Sequence, residues 1–506
     1  MTLGSLSLVA VQFVSQPATP LMMSAVRRSA SRLILMSAAA LSLAGCATFS
    51  PDGGMSVVGA VASTDLKADV VKISDETSAL ALAPRLQALL KRPLNADNAV
   101  QIALLNNKGL QASFNELGVS EAQMVAASLP PNPRFSLART TAPLSLEIER
   151  QVVGSIFALA TLPARAAIAQ DRFRGAQLKT AESVLRLAAD TRRQYIRAVA
   201  ANHQASYLQQ AKAATEASAE LFKRLGESGA TNKLDQSREF AFYAELGAQL
   251  AQARLQQKIE REKLVRLLGV WGSDVAFKLP GTLPALPRLE SRREIESEAI
   301  KKRIDLQVAR GDLDLLAKSL GLTQATRFIN DVDLLGRRTI DKGKTVLPSG
   351  DVEREKRELK TFEVEIEIPL FDFGQTRVVA AEQTYMQAAN KLAEKAVNVR
   401  SEAREAYMAY RGSYDIARLY QTQVLPLRTI IQQESLLQYN GMLIDVTELI
   451  ADSRARNLSN VAAINARRDF WIAHTDLKHA VIGGGVGGGS GGAGQVAAAE
   501  GGGAPH

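Results

Sequence analysis

Between Gln375 and Tyr420 small and apolar side chains return every seven positions. Ala389, Ala396, Ala403, Tyr410 and Ala417 form one line. Tyr385, Leu392, Val399, Ala406 and Tyr420 form the interleaved line, with Ser413 as its polar member. This a/d repetition predicts a helix whose seam packs on other helices in coiled-coil fashion. It is expected to run to about Tyr439, to be broken by Gly441, and to be followed by a last helix from Ile444 to about Ala480. The first half of the chain reads the same way. Ala79 to Leu90 predicts a short helix. Asn95-Ala96-Asp97 offers N-cap oxygens and early negative charge to a helix ending near Leu129, before Pro130, Pro131 and Pro133. A long helix is expected from Pro163 to about Leu225, roughly 90 Å at 1.5 Å per residue. Gly226 and Gly229 break it, and a further helix runs from Asn232 to Leu268 and stops at Gly269. Pro280, Pro284 and Pro287 mark a linker. A helix from about Glu290 to Leu320 and an irregular, highly charged stretch follow.

Two segments alternate with period two instead. Phe362, Val364, Ile366 and Ile368 point one way, and Glu363, Glu365 and Glu367 the other. In the first half Leu144, Leu146 and Ile148 alternate with Ser145, Glu147 and Glu149. One face can meet lipid and the other water. About two strands per half leave open edges, which cannot stand in lipid, and single-chain barrels need about eight strands. A barrel built from this chain therefore requires several copies.

The two halves repeat. Leu110-Gln111-Ala112 aligns with Leu306-Gln307-Val308 at a spacing of 196. Leu146 to Glu149 aligns with Val364 to Glu367 at a spacing of 218, and Gly229 with Gly441 at 212. The order helix, strand pair, long helix, turn, helix thus occurs twice. An insertion in the second half is placed near Gly336 to Lys360. The expected organisation is a signal at 1–45, an anchoring segment at 46–94, a first repeat at 95–279, a linker at 280–289, a second repeat at 290–480 and a disordered glycine-rich tail at 481–506.

Composition narrows the chemistry. The chain has 506 residues, of which 46% are hydrophobic, with alanine carrying much of that share, and 5% are aromatic. Beyond the N-terminus no run of about 20 apolar residues exists, which excludes a multi-span helical membrane protein. One cysteine excludes a disulfide scaffold and thiolate zinc sites. The four histidines include His474 and His479, five apart on a helix and poorly spaced for one metal. No metal, cofactor or catalytic constellation is expected. Gly483 to Gly489 follows a helix and lacks Lys-Ser or Lys-Thr, so it is no phosphate loop. The net charge is +9, but 61 basic residues face 52 acidic ones without a basic cluster, so nucleic acid is not the expected partner.

Arg27, Arg28 and Arg32 precede a short apolar run from Leu33 to Ala44. The run is too short to span a bilayer and reads as a secretory signal. Leu43-Ala44-Gly45-Cys46 resembles the bacterial lipoprotein signal, in which the cysteine is acylated. Ala47 follows it in place of Asp, and the resemblance then implies the outer membrane.

The body resembles the TolC-type outer-membrane efflux factor family over about residues 95–480. The carrying segments are Ala99 to Asn107, Leu129-Pro130-Pro131-Asn132-Pro133 before the first strand, and Pro369-Leu370-Phe371-Asp372-Phe373-Gly374 after the second strand set. The reversals Gly229-Ala230-Thr231-Asn232-Lys233-Leu234-Asp235 and Tyr439-Asn440-Gly441-Met442-Leu443-Ile444-Asp445 also match. The expected fold is mainly α with a small β part: antiparallel coiled-coil helices forming a periplasmic α-barrel, and two β-hairpins contributing to a trimeric outer-membrane β-barrel. The resemblance implies a homotrimer with four strands per chain, and helix reversals that close the tunnel and meet a periplasmic adaptor protein and an inner-membrane pump. The long charged stretch Asp341 to Lys360 and the density of strand glutamates depart from the family pattern.

Three sets of candidate residues follow. The reversal tips are Gly226, Gly229, Ala230, Asn232, Leu234 and Asp235 in one half, and Gly441, Leu443, Ile444, Asp445 and Glu448 in the other. Small residues there let a partner hairpin approach the backbone, although glycines also simply end helices. Asp235, Asp445, Glu448 and Asp452 would form carboxylate rings in a trimer, or a solvated helix face. In the barrel, Glu147, Glu149, Glu363, Glu365 and Glu367 would face the lumen, or pair with Arg139, Arg150 or Lys360 across strands. Cys46 is the expected lipid anchor in the outer membrane. The leading function is a passive channel exporting small molecules or metal ions. A periplasmic adaptor and a structural coiled-coil lipoprotein without a pore are the alternatives.

Overall fold

The computed structural model describes residues 48–291 and 294–484. The expected signal segment, Cys46 and the tail from residue 485 lie outside these residues. From Ser50 onward the described chain is one unit.

The first helices are α1 (Ser56–Val61) and α2 (Glu76–Lys91), the latter capped by Asp75, whose carboxylate accepts from the Ser78 N–H at 2.7 Å. The helix expected from Asn95 to Leu129 is broken in two, α3 (Ala96–Asn106) and α4 (Lys108–Ser128). Asn107 sits between them in an extended conformation with ψ 117°. Its Oδ1 accepts from the Leu110 N–H at 3.0 Å, and its Nδ2 donates to the Leu267 carbonyl at 3.0 Å. The Nδ2 of Asn106 donates to the Gly269 carbonyl at 2.7 Å. Two asparagines thus satisfy the end of another helix, which local periodicity cannot reveal. At that end Gly269 has φ 67°, and a Cβ there would stand 2.9 Å from the Asn106 carbonyl oxygen, so glycine is required.

The antiparallel strands β1 (Arg134–Ala142) and β2 (Ser145–Ser155) follow, so Leu144 lies in the turn rather than in a strand. After the short α5 (Ile156–Ala160) comes α6 (Leu162–Glu227), whose 66 residues extend about 100 Å. Asn232 caps α7 (Lys233–Leu268) through Oδ1, which accepts from the Asp235 N–H at 2.8 Å.

The second half repeats this order. The helix expected from Glu290 to Leu320 is also divided, into α8 (Ile295–Lys302) and α9 (Ile304–Ala325), with Arg303 at the break and ψ 123°. Arg303 lies 196 residues after Asn107, the spacing read from Leu110 and Leu306. Its side chain is 2% exposed and donates to Asp305 at 3.0 and 2.8 Å and to Glu402 at 2.5 Å. Burial penalises the Asp305 carboxylate, but the Arg303 hydrogen bonds and charge outweigh it and hold its pKa below the usual value.

The strand read at Phe362 to Ile368 extends back through the charged stretch expected to be irregular, which forms two 16-residue strands, β3 (Asp331–Val346) and β4 (Val352–Glu367). The insertion is strand, because its charges alternate with a period of two and both faces are open to solvent. The strand ends nearest the helices, Ser155 and Glu367, are 212 residues apart, not 218. The extra residues lengthen both strands at the far end. All four strands form one antiparallel sheet in the order β1-β2-β3-β4, with β1 and β4 as open edges.

α10 (Gln375–Leu419) passes through a π-turn at Tyr420–Val424 into α11 (Leu425–Asn440). Pro426 follows the π-turn, where its missing N–H and its ring would break a regular α-turn. The last helix, α12 (Val446–Ile482), begins at the Asp445 cap. Val399, Ala403, Ala406, Tyr410 and Ala417 of the heptad seam are buried with Ala466, Phe470 and Leu477 of α12. Tyr410 and Phe470 have ring centroids 5.7 Å apart. Trp471 donates to the Pro284 carbonyl at 3.2 Å and ties the linker to α12, whereas Trp271 is 84% exposed. Among the described residues no helix is long and apolar enough to cross a membrane.

Candidate functional site

The strand register is continuous without a bulge, so each row across the sheet places its side chains on one face. Phe135, Val152 and Phe362 share a row with Gly336, and Leu334 with Val364 and Val332 with Ile366 stand on the same face. Phe135 and Phe362 are each about three-quarters exposed within the single chain. The opposite face is acidic. Glu363, Glu365 and Glu367 stand there with Glu147, Glu149, Asp331, Asp333 and Asp341. The five glutamates singled out from the sequence therefore do share one face. With Glu353 and Glu355 the face has ten carboxylates against three arginines, Arg134, Arg337 and Arg357.

The expected pairing partners are corrected. Arg139, Arg150 and Lys360 lie in the rows of the other face and cannot reach these glutamates. Glu149 pairs with Arg337 at 3.0 Å, its diagonal neighbour on β3, and Asp333 pairs with Arg134 at 3.3 Å. Arg337 was missed because the stretch around it was not read as strand.

The two reversal tips have one turn geometry. At the first, the Ala230 N–H bonds the Leu225 carbonyl at 2.7 Å and Gly229 adopts φ 75°. At the second, the Leu443 N–H bonds the Gln438 carbonyl at 2.8 Å and Met442 adopts φ 59°. The structural equivalent of Gly229 is thus Met442, at a spacing of 213. Gly441 has φ −82° and needs no glycine freedom. Gly226 lies inside α6 under the side chain of Gln236 and does not break the helix. The caps are equivalent too, Asn232 to the Asp235 N–H and Asp445 to the Glu448 N–H at 3.0 Å.

Arg238 joins the tips. It pairs with Asp235 at 3.1 Å and donates to the Thr447 hydroxyl at 2.7 Å across the hairpins. Asp235 is therefore held, while Glu448 is exposed and Asp452 is bonded by the Ser435 hydroxyl. Ile444 is half-buried, and Leu234, Met442 and Leu443 are 59%, 94% and 77% exposed. The apolar tip of Met442 was not among the sequence candidates, although its place beside Leu443 in a turn was visible. One turn further in, burial raises the pKa of Glu239 despite a Ser218 hydrogen bond and nearby Arg454.

No family model and no curated protein matches the sequence. Solved structures do match. CusC, known from structures concerned with transmembrane channel formation, is 16% identical, with 77% of this chain and 92% of that one covered and a TM-score of 0.64. The outer membrane protein VceC of Vibrio cholerae is 16% identical over 79% of this chain and 97% of its own, with a TM-score of 0.64. The outer membrane channel CmeC of Campylobacter jejuni is 15% identical over 77% and 86%, with a TM-score of 0.61. The chain has the fold of TolC-type outer-membrane channels, as its sequence resemblance implied.

Proposed function

We propose that this chain is the outer-membrane channel subunit of a tripartite efflux system. The observation that carries the proposal is a four-stranded sheet with two open edges and one apolar face, at the end of helices about 100 Å long. Unpaired strand edges are costly in lipid, and closure with other copies removes them. Three copies give a twelve-stranded barrel, with the apolar face in the membrane and the acidic face lining the pore. Phe362 to Ile368 covers about 20 Å along the strand, and exposed Leu370 and Phe371 continue the apolar surface toward the ~25 Å band of such barrels. The helices form the periplasmic tunnel. Their tips, with Leu234, Met442 and Leu443 exposed, dock on a periplasmic adaptor and an inner-membrane pump. Acylated Cys46 anchors the chain in the outer membrane.

Export is passive, of small molecules or metal ions delivered by the pump. The excess of carboxylates on the pore face favours cations. An adaptor or a poreless scaffold has no use for a sheet with one apolar and one acidic face, so neither is retained. The test is reconstitution of the purified protein in planar bilayers. Cation-selective conductance that weakens in Glu363→Gln/Glu365→Gln/Glu367→Gln supports the reading. Absence of conductance from inserted protein refutes it.

A further inference from the structure

The non-acidic face of the sheet changes character along its length. Near the helices it is apolar, up to the row of Phe135, Val152 and Phe362. The next row on that face holds Arg150, Arg338 and Lys360 on three adjacent strands. Strands are about 4.8 Å apart, so these three cations span about 10 Å. Two rows further out stand Lys342 and Lys356, and beyond them Lys344 and Arg354. With Arg139 the face carries eight cations and one acid, Glu358, which Arg338 already holds at 2.8 Å. All eight are exposed.

The second hairpin outruns the first, and the difference makes a ledge. Beside the Pro143-Leu144 turn lies a cleft of about 520 Å³. Five cations, Arg139, Lys342, Lys344, Arg354 and Lys356, line it with one acid, Glu355. The cations therefore come in two tiers, separated by about 14 Å along β4 from Lys360 to Lys356. Charge on a lipid-facing strand is costly at mid-bilayer and tolerated at the interface. The first tier directly adjoins the apolar band, where headgroups begin.

We propose that this face binds the phosphorylated glycolipid of the outer leaflet, with phosphates met at two depths. The proposal rests on the outer-membrane reading above. A phospholipid offers its phosphate at one depth only and would leave the ledge empty. A glycolipid bearing phosphates on its sugars reaches both tiers. The opposite charge of the pore face, ten acids against three arginines, keeps the same lipid out of the lumen.

The test uses the full-length protein in phosphatidylcholine nanodiscs doped with lipopolysaccharide, its dephosphorylated form or phosphatidylglycerol. Lipid retained per protein is counted after detergent extraction, and insertion is scored separately by ion conductance. Lipopolysaccharide should be retained above both other lipids. Lys342→Gln/Lys356→Gln/Lys360→Gln should lower its affinity about a hundredfold, from roughly fivefold per lysine. Arg134→Gln/Arg337→Gln/Arg357→Gln on the pore face should not. Equal retention of the three lipids, an unaffected lysine variant, or displacement by millimolar inorganic phosphate overturns the proposal while conductance leaves the channel reading standing. Failure to insert overturns both.

Discussion

Replacing Arg303 by methionine tests how the second repeat is held at its helix break. The guanidinium is 2% exposed and Asp305 is 5% exposed, and two hydrogen bonds join them. A third runs to Glu402. Without Arg303, Asp305 keeps the Leu306 backbone hydrogen bond and a Lys395 ammonium at 3.6 Å, beside a Glu182 whose pKa is already raised by burial and by Asp305. Breaking a buried pair by removing one partner costs about 3–5 kcal/mol. Urea unfolding of the purified protein in one detergent, followed by helical circular dichroism, reads the change. Replacing the whole cluster, Arg303→Met/Asp305→Leu/Glu402→Leu, should recover most of the loss, because the buried Asp305 carboxylate goes with its partner, while Lys395 is partly exposed to water. The effect is pH-dependent with a defined sign. A carboxylate held low stabilises the fold fully above its unfolded value of about 3.9, and that contribution is lost as pH falls through the folded value. The difference between Arg303→Met and the natural chain should therefore persist from neutral pH to about pH 4 and shrink below it. An Arg303→Met variant within ~0.5 kcal/mol of the natural chain, the ordinary range for surface changes, would mean that the buried pair does not hold the helix break.

Asn107→Ala should cost about 1–2 kcal/mol in the same assay, since it removes the cap of α4 and a bond to the end of α7. Glu182→Gln should stabilise the protein at neutral pH. Burial, then Asp305, raises the Glu182 pKa, so its ionisation opposes folding increasingly as pH rises past the unfolded value of about 4.3 and fully above the folded value, and the gain should vanish in acid below about pH 4. Met442→Gly should leave stability equal or higher by up to about 1 kcal/mol, because methionine sits at φ 59°, yet should weaken cross-linking to an adaptor hairpin. Unchanged cross-linking would separate Met442 from docking.

The helical architecture was legible because its signals are local. The seven-residue seam of α10 is buried at Val399, Ala403, Ala406, Tyr410 and Ala417 as its period required. The Asn95 cap stands where it was read, before an apolar run, and the helices expected from Asn232 and Ile444 begin within two residues of those positions, at caps Asn232 and Asp445. The two helix breaks were not legible. Asn107 and Arg303 interrupt helices while bonding groups far away in sequence; arginine is an ordinary helix former, and the cap-forming Asn107 lies inside a run that reads as continuous helix. The charged parts of β3 and β4 were missed, although the Phe362 to Ile368 alternation was read, because lysine, arginine and glutamate dominate those parts and strand propensity is weak there. Only the pairing register reveals that the charges are sorted, with cations on one face and acids on the other. The acidic candidates were found, but their partner Arg337 was hidden in the same stretch. At the tips the sequence pointed to Gly441, whereas the left-handed residue is Met442. A glycine in a turn is a conspicuous signal, and a strained methionine is not.

In the proposed trimer β1 and β4, the open edges of the sheet, pair between copies and close a ring of three, and disulfide scanning reads that pairing. With Cys46 replaced by serine, one cysteine is placed at Ser136 on β1 and a second is moved along β4 through residues 359–365. One β4 position should give covalent dimers and trimers on non-reducing gels, with the trimer as the largest species. No cross-link at any position, or a ladder continuing beyond three, would mean that the edges do not close a ring of three.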